Sequence, residues 1–124
     1  GDYFDSHGLS AIALETAEAF AEYIHTQIRN EWGIPDAPGT PIEDIFKLKY
    51  TGVRMSFGYP ACPRLEDQEK MFRLLNPESI GITLSEEYMM HPEASVSALV
   101  FHHPQARYFT ISETDMIHFE ANLK

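Results

Sequence analysis

Apolar side chains return at Leu9, Ala13, Ala17, Phe20, Ile24 and Ile28. Steps of three and four predict an amphipathic helix from about Leu9 to Glu31, with Ser6 or Ser10 as a cap and Gly33 as its end. In Thr40-Pro41-Ile42-Glu43 a capping residue precedes a proline at the first helical position and a glutamate at the third, so a short helix is expected to run to about Lys49. Helical spacing returns from Leu65 to Leu75, through Gln68, Met71 and Phe72, and Asn76-Pro77 stops it. Three runs then carry β-branched and aromatic residues: Ile80 to Leu84, Val96 to Phe101 and Arg107 to Ile111. Their short links suit an antiparallel meander, because parallel strands need long crossovers. Ser112 to Phe119 predicts a weak terminal helix. The fold class is therefore α+β, a small antiparallel β-meander flanked by helices, with residues 1–124 as a single domain.

Composition narrows the function classes. The chain has 124 residues, 44% hydrophobic and 23% charged, which suits one soluble domain with a modest core. A formal charge of −10 argues against nucleic acid or an anionic membrane as partner, since both call for a basic patch. No apolar run approaches the ~20 residues of a membrane span, and the first residues lack the charged and apolar regions of a signal peptide. The single cysteine, Cys62, has no internal partner for a disulfide, so the expected compartment is the cytoplasm.

The chemistry concentrates in Arg54-Met55-Ser56-Phe57-Gly58-Tyr59-Pro60-Ala61-Cys62-Pro63. Two prolines fix φ and remove N–H donors, and Gly58 allows backbone conformations closed to other residues, so the run reads as a stiff turn. Arg54 and Tyr59 would be presented on that frame: a charged fork and an aromatic plane, suited to a small ligand with a carboxylate and a flat ring. A surface turn with a salt-bridged arginine is the plainer reading of the same residues. Glu15, Glu18, Glu22, His25 and Arg29 share one stripe of the first helix, which by itself predicts a solvated face. The six histidines show no His-x-x-x-His, and Cys62 has no acidic or basic neighbour in sequence, so neither metal binding nor a cysteine nucleophile is expected. No P-loop, Gly-x-Gly-x-x-Gly or Ser-His-Asp pattern is present.

Arg-x-x-x-Gly-Tyr-Pro followed by Ala-Cys-Pro resembles the S-adenosylmethionine-binding motif of the activation domain of cobalamin-dependent methionine synthase. The resemblance extends upstream to Ala17-Glu18-Ala19-Phe20-Ala21-Glu22-Tyr23-Ile24-His25. Downstream it takes in Ala94-Ser95-Val96-Ser97 and His103-Pro104-Gln105-Ala106-Arg107-Tyr108-Phe109. The family domain is longer and curved, and this chain resembles its C-terminal part, without the N-terminal portion that supplies an aspartate to the ligand site. The resemblance implies that Arg54 clamps the methionyl carboxylate and that Glu18 faces a positive group of the ligand. It also implies that the Ser56 to Tyr59 backbone, Gly58 included, meets polar ligand edges while Tyr59 and Tyr108 shape the pocket. Met55-Ser56-Phe57 departs from the Pro-Ala-Pro of some relatives, a change that permits the backbone contacts and carries over no side-chain contact from Met55 or Phe57.

The implied activity is reductive methylation of cob(II)alamin, with S-adenosylmethionine as methyl donor and an electron from a flavodoxin-like protein or a diflavin reductase. Cobalamin would be carried by another domain of the same polypeptide, since no Asp-x-His-x-x-Gly run is present. This fragment alone is expected to be inactive. Two readings from other classes stay open at the level of sequence: a non-catalytic module sensing S-adenosylmethionine or an amino-acid-like ligand, and a purely structural interaction domain.

Overall fold

A computed structural model describes residues 2–122. The first helix, α1, runs over Asp2–Glu31, a full turn and more beyond the expected start at Leu9. Gly33 ends it with φ of +74°, a left-handed conformation that glycine adopts without a Cβ penalty. The Ile34 N–H then donates to the Arg29 carbonyl at 3.0 Å, closing the last turn.

Helix α2 spans Ile42–Phe46 and stops short of the expected Lys49, where Leu48 takes a positive φ of 57°. The Thr40 hydroxyl donates back to the Ala37 carbonyl at 2.6 Å and makes no capping bond to α2. A 3-10 turn over Leu65–Asp67 leads into α3, Gln68–Leu75, and Asn76 in the left-handed region ends α3 as the Asn-Pro pair suggested. Helix α4 covers Glu113–Asn122, close to the expected terminal helix.

The strands are antiparallel, as expected, but form two separate two-stranded ladders in place of one meander. Strand β1, Val53–Ser56, pairs with β4, Ala98–Phe101, in the register Val53↔Phe101, Arg54↔Val100, Met55↔Leu99 and Ser56↔Ala98. Strands β2, Thr83–Leu84, and β3, Met90–His91, make the second ladder, because β4 pairs back to β1 and not to the preceding β3. Two further expectations change. Arg107 to Ile111 is not a strand: of these residues Ile111 donates its N–H to the Pro60 carbonyl, at 2.9 Å, so the segment is tied to the binding loop. Arg54 to Ser56, read as the start of a loop, is ladder.

Alternation along β1 sorts its side chains between two faces. Val53 and Met55 point to one side and are buried with Ala61, with Ala106 packed on them, and these make the small apolar core. Arg54 and Ser56 therefore point to the other side, toward α1. Gln68, only 2% exposed, braces this edge: its amide donates to the Tyr88 carbonyl at 2.9 Å and accepts from the Ser97 hydroxyl at 2.6 Å. The Ser97 carbonyl in turn accepts the Phe57 N–H at 3.2 Å, which fixes the point where β1 passes into the loop.

Candidate functional site

The loop after β1 is held by its own backbone. Gly58 N–H donates to the Cys62 carbonyl at 2.9 Å and Cys62 N–H to the Tyr59 carbonyl at 2.8 Å. Gly58 has φ of +85°, and a Cβ there would lie 3.0 Å from Leu65 Cδ2, so both conformation and space call for glycine. Tyr59 stands out of this frame at 53% exposed, and Ala61 turns inward into the core. The stiff turn expected from Gly58, Pro60 and Pro63 is the turn that forms.

Arg54 projects from β1 against α1 and meets two carboxylates there. Its Nη1 lies 3.7 Å from Glu18 Oε2 and donates to Ser56 Oγ at 3.3 Å; its Nη2 lies 3.5 Å from Glu22 Oε2. The Arg54 side chain is largely buried, and its Nε has no hydrogen-bond partner. A guanidinium with long ionic contacts and an unused buried N–H retains capacity for a further acceptor. Beside it runs an apolar groove of about 830 Å³, between Phe20 and Ile24 of α1, Phe72 and Leu75 of α3, and Val100 of β4.

Of the six residues named from sequence, Glu18, Arg54 and Ser56 come together, and Gly58 and Tyr59 lie in the adjoining loop. Tyr108 sits apart from Arg54. Its hydroxyl accepts the Ala61 N–H at 3.4 Å, and its ring lines a separate cavity of about 420 Å³ with Asp36, Tyr50 and Arg107.

The stripe of α1 is solvated at Glu15 but covered from Glu18 onward. Glu22, His25 and Arg29 are its buried residues, at 8%, 1% and 1% exposure, and Glu18 is half-buried. Sequence spacing put them on one face; it carried no sign of what would cover that face. Arg29 forks onto Asp36, Nε to Oδ1 at 3.0 Å and Nη2 to Oδ2 at 2.6 Å, and its Nη2 also donates to Thr26 Oγ1 at 3.1 Å. Tyr50 lies beneath, its hydroxyl donating to Glu22 Oε2 at 3.4 Å and its ring meeting His25 edge-on at 5.0 Å. Asp36 and Tyr50 lie in loops with no local motif, so only the folded chain reveals their part.

Burial first, and nearby charges second, shift three titrating groups. Burial, then the nearby Arg29 and Arg54, lower the His25 pKa to about 4, so the imidazole is neutral near pH 7. Burial first, and Glu22 second, push the Tyr50 hydroxyl up to about 12, which keeps it protonated as a donor. Burial also raises the Cys62 thiol, with Asp67 adding to it, the reverse of what an activated thiolate requires.

Comparison with known proteins places the chain in a family. The family model described as "Vitamin B12 dependent methionine synthase, activation domain" matches residues 1–120. Methionine synthase of Mycobacterium tuberculosis is 48% identical over 120 residues, and that of Mycobacterium leprae 49% identical over 117, each across 89% of this chain. The chain spans 10% and 9% of those two proteins. A crystal structure of the MetH reactivation domain bound to AdoHcy superimposes with a TM-score of 0.77 at 32% identity, over 98% of this chain and 41% of that one. The chain belongs to the activation-domain family of vitamin B12-dependent methionine synthases.

Proposed function

We propose that this chain is the C-terminal part of an S-adenosylmethionine-binding activation domain, serving reactivation of a cobalamin-dependent methionine synthase in the cytoplasm. The observation that carries the reading is Arg54: a guanidinium on β1 with an unpartnered buried N–H, beside the stiff Gly58–Cys62 turn. A ligand carboxylate is the group it suits, and a charge-assisted fork gives both affinity and orientation. The relative bound to AdoHcy, a ligand with the same amino-acid end, supports this choice.

In this reading Arg54 holds the carboxylate and Ser56 steadies Arg54. Glu18, exposed enough to move, faces the ligand's positive group. The backbone from Ser56 to Tyr59 meets polar ligand edges, Tyr59 forms one wall, and Tyr108 acts from behind by holding Ala61 in the loop. When bound, S-adenosylmethionine supplies the methyl group and cobalamin receives it after reduction by a flavodoxin-like protein or a diflavin reductase. The sequence has no Asp-x-His-x-x-Gly run to offer a cobalt-ligating histidine, so we assign cobalamin to another domain of the same polypeptide. The work of this chain is to bind and orient the donor.

The test is calorimetric titration of S-adenosylmethionine into the complete native polypeptide, together with spectroscopic conversion of cob(II)alamin to methylcobalamin under a reductant. Arg54→Ala should weaken binding by about 2–3 kcal/mol, and Arg54→Lys should weaken it too because lysine lacks the fork. Binding without conversion would favour a sensing module, and unchanged affinity in Arg54→Ala would remove Arg54 from the site.

A further inference from the structure

We propose that Glu22 is a positioning residue for Arg54: a buried brace, fixed by Tyr50 and by the Arg29–Asp36 pair, that sets the direction of the guanidinium. This rests on reading Arg54 as the clamp for a ligand carboxylate.

Two carboxylates flank Arg54, and they differ in freedom. The Glu18 side chain is 44% exposed and exchanges its contacts with water; that of Glu22 is 10% exposed and cannot. Glu22 Oε2 takes Arg54 Nη2 at 3.5 Å and the Tyr50 hydroxyl at 3.4 Å, and Glu22 Oε1 lies 3.7 Å from Arg29 Nη1. Tyr50 cannot swing away, because Arg29 covers its ring at 3.8 Å and His25 meets its edge. Arg29 is anchored by its fork to Asp36. A line of contacts therefore runs from the loop after α1 to the side chain presented by β1. It ends on Nη2 of Arg54 and leaves for a ligand the unpartnered Nε and Nη1, where the exposed Glu18 can yield.

The sign of one substitution separates positioning from mere proximity. If Glu22 were only a nearby negative charge, Glu22→Gln would remove repulsion and a ligand carboxylate would bind more tightly. If Glu22 aims Arg54, the same change loosens the guanidinium and binding weakens. Tyr50→Phe removes the hydroxyl that fixes Glu22 and leaves every charge in place.

The experiment is calorimetry on the complete native polypeptide with two probes, S-adenosylhomocysteine and its decarboxylated amine analogue. Glu22→Gln should weaken S-adenosylhomocysteine by about tenfold and Tyr50→Phe by about threefold, while the decarboxylated probe changes by less than about twofold in both. Tighter or unchanged S-adenosylhomocysteine binding, or equal losses for the two probes, overturns the proposal. Should Glu22→Gln fail to fold, Tyr50→Phe, which keeps the ring, carries the same comparison. Arg54→Ala separates the two levels. If it discriminates between the probes and the Glu22 and Tyr50 variants do not, the brace fails alone; if it does not discriminate, the clamp reading fails and the brace with it.

Discussion

The guanidinium of Arg29 lies 3.8 Å above the ring centre of Tyr50 while its edge is forked to Asp36. The face of Arg29 is thus used for stacking and its edge for hydrogen bonds, a division that only a planar cation permits. Arg29 is 1% exposed, so removing it leaves the part-buried Asp36 without its cation and Glu22 with Arg54 as its remaining one. Arg29→Ala is expected to cost about 3–5 kcal/mol of unfolding free energy. Arg29→Lys, which keeps the charge but loses the fork and the stack, should cost about 1–3 kcal/mol. Denaturant unfolding measures both, and an unchanged midpoint in Arg29→Ala would show that the pair contributes nothing.

Gly52 immediately precedes β1 with φ of +89°, and a Cβ there would stand 2.6 Å from the Phe101 carbonyl oxygen. That oxygen belongs to the ladder backbone, so it cannot move aside without breaking the Val53↔Phe101 pairing. Gly52→Ala therefore combines left-handed strain with a backbone clash and should cost about 2–4 kcal/mol. Gly58→Ala, whose neighbour is the tip of the Leu65 side chain, should cost less, about 1–2 kcal/mol. Equal thermal midpoints for wild type and Gly52→Ala would contradict the first, and Gly58→Ala losing more than Gly52→Ala the second.

These two glycines also mark how far the sequence could be read. Gly58 stands among Tyr59, Pro60 and Pro63, a cluster whose backbone limits are local, and the turn it predicts is the turn found. The ends of α3 at Asn76 and of α1 at Gly33 were legible for the same reason. Strand β1 was not, since four residues with one buried methionine and one arginine give too short an alternation to outweigh the loop signals beside them. Arg107 to Ile111 has strand-like composition but lies against the Pro60 loop and has no ladder partner. The polar stripe from Glu22 to Arg29 could be placed on one face by spacing alone; that Tyr50, Asp36 and Arg54 cover it depends on contacts up to 32 residues apart.

Cys62 lies at the end of the binding turn, where a nucleophile would be well placed. Burial and Asp67 both hold its thiol in the protonated form, and its backbone already closes the turn through Gly58 and Tyr59. Cys62→Ser and Cys62→Ala are expected to keep cob(II)alamin reactivation within about twofold of wild type in the complete polypeptide, with a stability loss of about 1 kcal/mol or less. Iodoacetamide should modify the native thiol more slowly than an unstructured peptide thiol at pH 7. Loss of reactivation in a folded, ligand-binding Cys62→Ala variant would make the cysteine a participant.

His25 links stability to pH with a definite sign. Its pKa is about 4 in the folded chain against an ordinary value of 6.5, so between these values the unfolded chain binds the proton and the folded chain does not. Stability from this residue is complete above about pH 6.5, falls as the pH drops toward 4, and changes no further once both states are protonated. The shift corresponds to about 2–4 kcal/mol across that window. Carboxylates begin to titrate below about pH 5 as well, so the contribution of His25 is read as a difference. His25→Met, close in volume and without a titrating group, should flatten the dependence between pH 6.5 and 5, where histidine dominates. Urea unfolding at half-unit steps of pH gives the two slopes. Parallel curves for wild type and variant would mean that His25 titrates alike in both states, and neither burial nor the positive field of Arg29 and Arg54 would then have a hold on its imidazole.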